Sequence, residues 1–157
     1  MDKEKQFMQR AIHLAEKGME NGSGGPFGAV IVRNIEIIGE GYNSVIRFSD
    51  PTAHAEILAI RQAAQKINSF HLDGCTLYTS CEPCPMCLGA IYWARIQKIY
   101  YACTRHDAAE IDFNDHFIYK EMAKDMEERQ IEAKNLLRGE ALEIFKRWRD
   151  KADKTLY

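Results

Sequence analysis

Thr76-Leu77-Tyr78-Thr79, then Cys81-Glu82-Pro83-Cys84-Pro85-Met86-Cys87, then a run from Leu88 to Arg95, then Lys98-Ile99-Tyr100-Tyr101-Ala102-Cys103: this stretch decides the fold. Its two ends are short, apolar and rich in β-branched or aromatic residues, so they read as strands. The run between them reads as a helix. A strand, a helix and a strand in that order favour a crossover with parallel strand pairing. Three cysteines and two prolines sit where the first strand hands over to the helix. Two thiols spaced C-x-x-C at a helix start bind a soft metal or form a redox pair.

Working outward, residues 3 to 20 have the spacing of an amphipathic helix. Phe7, Ala11, Leu14 and Gly18 recur on one stripe and Met8, Ile12, Ala15 and Met19 on the next. Asn21 to Pro26 is a glycine-rich loop. Phe27 to Val32 reads as a buried strand, Arg33-Asn34 as a turn, and Ile35 to Glu40 as the hairpin partner. Gly41 to Pro51 reads as polar loop. Asp50 and Thr52 are candidate caps for a helix running to about Ile67, which puts His54 and Glu56 in its first turn. Beyond Thr104 the spacing predicts a helical turn at Asp107 to Glu110, a helix over Asp115 to Lys124 and an edge strand over Ile131 to Leu136. A last helix, Gly139 to Lys154, has Ala141, Ile144, Phe145 and Trp148 on its apolar side. The order predicts an α/β sandwich whose opening hairpin makes the sheet mixed.

A chain of 157 residues is expected to form one domain, 1–157, with no need of disulfides. The net charge of −2 leans against a nucleic-acid partner, which favours a basic excess. Five cysteines, three of them bunched, make a poor disulfide framework and suit a reducing compartment. Neither a signal-like N-terminus nor an apolar run of membrane length is present, so a cytoplasmic location and no membrane partner are expected. The phosphate-cradling patterns G-x-G-x-x-G and G-x-x-x-x-G-K-[ST] are absent.

The chemistry lies in two helix starts taken together. His54 can supply one nitrogen, and Cys84 and Cys87 two sulfurs. Three protein ligands with a fourth position left to water is the composition of a catalytic zinc site. Glu56, two positions from His54, does not share its helix face and so is not read as a ligand. It is placed instead to move a proton to and from a metal-activated water. Two other readings stay open at this level: a redox pair, and a structural zinc with Cys81 as fourth ligand.

His54-Ala55-Glu56 with Pro83-Cys84-Pro85-Met86-Cys87 resembles the zinc-dependent nucleobase and nucleoside deaminases. The resemblance implies a cytidine-deaminase-like fold, a three-layer α/β/α sandwich around a five-stranded mixed sheet. It also implies one zinc per chain and hydrolytic loss of an exocyclic amine, with Glu56 as proton shuttle.

Several branches share Asp50-Pro51-Thr52-Ala53-His54-Ala55-Glu56, so the flanking residues choose among them. Gly25-Pro26-Phe27-Gly28-Ala29-Val30, Asn43, Gly89 to Arg95, Asp112 to Tyr119 and the terminal Tyr157 look like the small bacterial guanine deaminases. That likeness implies a free base, guanine, as substrate. Asn43 would hydrogen-bond the purine edge, Phe27 stack on the ring, Asp115 accept from ring N–H groups and Tyr157 close the pocket. Ala55 and Trp93 complete the contact set. From the residues alone, Asn43 could also be a turn residue, Asp115 an N-cap, and Trp93 or Phe27 core. An adenosine deaminase acting on transfer RNA is the second reading and a free-base cytosine deaminase the third. The likeness further implies a homodimer in which the segment from about 105 to 157 packs on or exchanges with the partner subunit.

Overall fold

The computed structural model describes residues 2–157. Their contacts divide into a first unit ending at His116 and a second, Phe117–Tyr157. In the first unit the sheet has four strands, β1 (Gly28–Arg33), β2 (Glu36–Tyr42), β3 (Thr76–Cys81) and β4 (Lys98–Cys103), in the order β2-β1-β3-β4. β1 pairs antiparallel with β2 and β3, while β3 and β4 are parallel. The helices are α1 (Lys3–Glu20), α2 (Val45–Phe48), α3 (Ala55–Lys66), α4 (Pro85–Trp93), α5 (Arg105–Glu110), α6 (His116–Met122) and α7 (Arg138–Asp150).

The strand period of two sorts β1 between two cores. Val30 and Val32 face Leu14, Phe7 and Met8 of α1, with Tyr78 and Tyr100 beside them. Ala29 and Ile31 face the other way, among Ala55, Ala59 and Ala63 of α3 and Ile91 of α4. This makes three layers, helix, sheet and helix. On the α3 side the approach is close because both surfaces are small. A Cβ added at Gly39 would lie 2.3 Å from the Ala59 carbonyl oxygen, and one at Gly41 2.3 Å from that of Ala55.

Several expectations are corrected. Among the described residues the sheet has four strands, not five. Residues 131–136 form no strand; Glu132 and Lys134 interrupt the apolar run, and Ile131 and Leu136 stay exposed. The hairpin turn is Asn34-Ile35, with φ of 48° and 65°, the left-handed pair that a two-residue type I′ turn requires. The expected polar loop from Gly41 to Pro51 holds the end of β2 and the four-residue α2. The cap of α3 is His54, not Asp50 or Thr52. Asp50 turns inward on its own loop, accepting from the Thr52 N–H and hydroxyl at 2.8 and 2.7 Å.

In the second unit, Glu121 accepts from Lys124 and from the Gln130 N–H, and the Arg129 guanidinium donates to the Lys124 carbonyl. These bonds fold the turn after α6. The apolar side of α7, with Ile144, Phe145 and Trp148, is exposed. Among the described residues, no helix is long and apolar enough to cross a membrane.

Candidate active site

Two helix starts meet at one end of the sheet. α3 begins directly after His54, and α4 directly after Cys84, with Pro85 at its first position. Proline is favoured there because the first turn has no use for its missing N–H. Cys84 caps α4, its Sγ accepting from the Cys87 N–H at 3.5 Å. Partial positive charge at both helix N-termini favours anionic sulfur.

The ligand atoms of His54, Cys84 and Cys87 lie within 4.8 Å of one another. His54 Nδ1 is 3.6 Å from Cys84 Sγ and 3.5 Å from Cys87 Sγ. A tetrahedral zinc bound at ordinary Zn–N and Zn–S lengths separates its nitrogen and sulfur ligands by about 3.6 Å. The cluster therefore has the dimensions of such a centre. Its electrostatics agree. The Cys84 thiol is held down at about 4, first by the hydrogen bond from Cys87 and then by that from His54. Cys87, the donor, is driven up in consequence. His54 is raised, first by its bond to Cys84. Two adjacent thiols that cannot both ionise alone can do so around a divalent cation, so the donor set fits zinc.

Glu56 is buried beside this cluster, its Oε2 3.4 Å from the Cys87 Sγ. Burial pushes its carboxyl above the ordinary range. Such a group is poised to hold a proton and release it. Cys81 lies outside the cluster. Its thiol donates to the Thr104 carbonyl, and burial pushes it up to about 12. The fourth-ligand reading for Cys81 has no geometric support: among the described residues the cluster is His54, Cys84 and Cys87 alone.

The remaining expected contacts are spread over several elements. Asn43 is buried just past β2, where its N–H donates to the Phe27 carbonyl at 2.9 Å. Its Oδ1 accepts from the Val45 N–H at 3.2 Å, and its Nδ2 amide carries two N–H donors it can offer a ligand. Phe27 is partly buried and meets the Phe113 ring edge-on at 4.9 Å. Ala55 is fully buried in the first turn of α3. Asp115 is half-buried; burial raises its carboxyl first and the nearby Cys84 charge second. Asn114, not Asp115, accepts from the His116 N–H at the start of α6. Trp93 ends α4 with 73% of its surface exposed, so it is not core. Tyr157 ends the second unit with its ring exposed.

The contact of Phe113 with Phe27 was not legible in the sequence. Phe113 is the third residue past the end of α5, after Asp112 at φ 69°, and its N–H bonds the Ala108 carbonyl at 3.0 Å. No sequence signal marks it: the Thr104 to Asp107 capping box shows only where α5 starts.

Residues 1–103 match the family described as the cytidine and deoxycytidylate deaminase zinc-binding region. Guanine deaminase of Bacillus subtilis (strain 168) is 54% identical over 151 residues, 96% of this chain and 97% of that one. The crystal structure of guanine deaminase from Bacillus subtilis superposes with a TM-score of 0.94 at 53% identity, covering 98% of each chain. The tRNA-specific adenosine deaminase of Aquifex aeolicus is 44% identical over 96 residues, 61% of this chain and 63% of that one. With its mixed α/β sheet and its His/Cys/Cys cluster, the chain belongs to the cytidine and deoxycytidylate deaminase zinc-binding family.

Proposed function

We propose that the chain deaminates a free purine base, guanine, by hydrolysis: guanine and water give xanthine and ammonia. The observation that carries this reading is the level of identity across nearly the whole chain: 54% to a guanine deaminase, against 39% to a tRNA-specific adenosine deaminase of Buchnera aphidicola that matches 98% of it. The net charge of −2 favours a small substrate over a polyanion.

His54 Nδ1, Cys84 Sγ and Cys87 Sγ would hold one zinc, which would supply Lewis acidity to the reacting water. The Glu56 carboxylate would take a proton from the attacking water and return it to the base, so that ammonia leaves as a neutral group. Asn43 donates its Nδ2 amine to an acceptor on the purine edge. Asp115 accepts from the ring N–H groups, and Phe27 offers its face to the ring. Ala55 and Trp93 complete the contacts, and Tyr157 closes over the base.

The proposed assembly is a homodimer, with the segment from about 105 to 157 packing on or exchanging with the partner. The exposed apolar side of α7 supports it, since a soluble chain rarely leaves such a stripe to water. A cytoplasmic location goes with a free-base substrate.

The test is ammonia release from guanine, adenine, cytosine, their nucleosides and a transfer RNA anticodon stem-loop. Guanine turning over to xanthine is the expected result. Activity on the RNA alone, or on cytosine alone, overturns the reading.

A further inference from the structure

We infer that Phe113 is a positioning residue for the purine site, setting the tilt of the Phe27 ring on which the base stacks; this rests on the proposed stacking role of Phe27. α5 is only six residues long but is fixed at both ends. At its start the Thr104 hydroxyl accepts from the Asp107 N–H, while Asp107 accepts from the Thr104 N–H and hydroxyl at 2.7 and 2.8 Å. At its end the Phe113 N–H reaches the Ala108 carbonyl and the Asp112 N–H the Ala109 carbonyl. That pair of bonds, with Asp112 left-handed between them, is a Schellman closure. An aspartate at φ 69° is strained relative to glycine, and the strain is held in place by these bonds.

The base of α5 is tied to the metal-binding loop. The Glu82 carboxylate accepts from the Arg105 N–H at 3.0 Å, and the Glu82 N–H donates to the Cys103 carbonyl at 2.8 Å. The closure at the far end then delivers one side chain, Phe113, edge-on to Phe27, with centroids 4.9 Å apart and planes at 88°. Gly25 completes the cradle. A Cβ there would lie 2.7 Å from the tip of Phe113 and 2.9 Å from the Phe27 ring, so both rings occupy the space a side chain would need. Phe113 itself is exposed at 44%. Its replacement therefore removes little core, and its main structural consequence is a freed Phe27 ring.

The experiment is a double-mutant cycle on Phe27→Leu and Phe113→Ala, read as KM and kcat for guanine with zinc content measured alongside. Phe113→Ala is expected to raise KM about three- to tenfold, the worth of an aromatic pair, with kcat changed less than about twofold. Zinc per chain stays at the wild-type value. Phe113→Tyr recovers most of the affinity. In the Phe27→Leu background, Phe113→Ala adds no further rise in KM. A rise in KM for Phe27→Leu with none for Phe113→Ala overturns the inference alone, as do fully additive effects or a fall in kcat at constant KM. An unchanged KM for Phe27→Leu overturns the stacking reading and the inference together.

Discussion

The two faces of the sheet are packed differently. On one, α1 lays Phe7, Met8 and Leu14 against Val30, Val32 and Tyr78, and aromatic contacts run on through Phe7, Tyr78 and Tyr100. On the other, α3 brings Ala55, Ala59 and Ala63 down onto Gly39 and Gly41 with no room for a methyl group. Large side chains can be trimmed at a local cost, leaving a cavity. Backbone against backbone has no slack. The face without slack is the one that carries His54 and Glu56, so the closeness of α3 to β2 fixes those residues against Cys84 and Cys87. Stability and site geometry therefore rest on different surfaces, and substitutions can separate them.

The largest effect falls on the chemistry itself. Glu56→Gln keeps the shape of the α3 face but removes the proton carrier. It should lower kcat for guanine by about 10²–10⁴-fold, with zinc per chain unchanged. Substantial residual turnover would assign the proton to another group. Next, Leu14→Ala on the α1 face should cost about 2–5 kcal/mol of unfolding free energy, while zinc content and kcat of the folded protein stay near wild type. Gly41→Ala should cost less, about 1–3 kcal/mol for an overpacked contact, yet weaken zinc retention and lower kcat, because it displaces the first turn of α3. If Leu14→Ala harms the site more than Gly41→Ala does, the contrast between the faces is wrong.

Smaller effects sharpen the same picture. Glu40 on β2 and Arg10 on α1 form a two-pronged ion pair with both contacts at 2.7 Å. The Arg10 hydrogen bond holds the Glu40 carboxyl below its ordinary value of 4.5. A carboxylate lowered on folding contributes stability above its unfolded pKa, and that contribution is lost as pH falls through the folded one. Unfolding free energies of wild type and Glu40→Gln from urea titration should differ by about 0.5 kcal/mol at pH 7, because the pair is partly solvated, and converge as pH falls through the lowered folded-state value. Ile35→Gly should raise stability by about 0.5–1 kcal/mol, since a branched residue sits at φ 65° in the hairpin turn. A loss there would mean that the Ile35 side chain contributes packing despite its exposure.

Local pattern made much of this legible. The strand, helix and strand around Cys81 to Cys87 announce themselves through composition and punctuation, and the hairpin through its alternation. The metal-binding trio was readable because each member sits at a helix start, and helix starts are marked by prolines and polar caps. What escaped was decided by tertiary geometry. α2 spans four residues, too short for any period to show. His54, not a conventional capping residue, takes the N-cap position of α3 without a side-chain cap bond, while Asp50 bonds Thr52 within its own loop. The run Ile131 to Leu136 has strand-like residues but no ladder among the described residues. Trp93 looks like core by type and is exposed by position. Phe113 reaches Phe27 only through a left-handed aspartate, a conformation its sequence does not advertise.

The central claim is that the starts of α3 and α4 build one zinc site from three side chains. Its most direct test is zinc per chain, measured after dialysis against a mild chelator, in wild type and in His54→Ala, Cys84→Ser and Cys87→Ser. The account predicts one zinc per chain in wild type and clear loss in each variant, with guanine turnover lost in step. Wild-type protein without zinc, or full retention of zinc in any of the three variants, would contradict it.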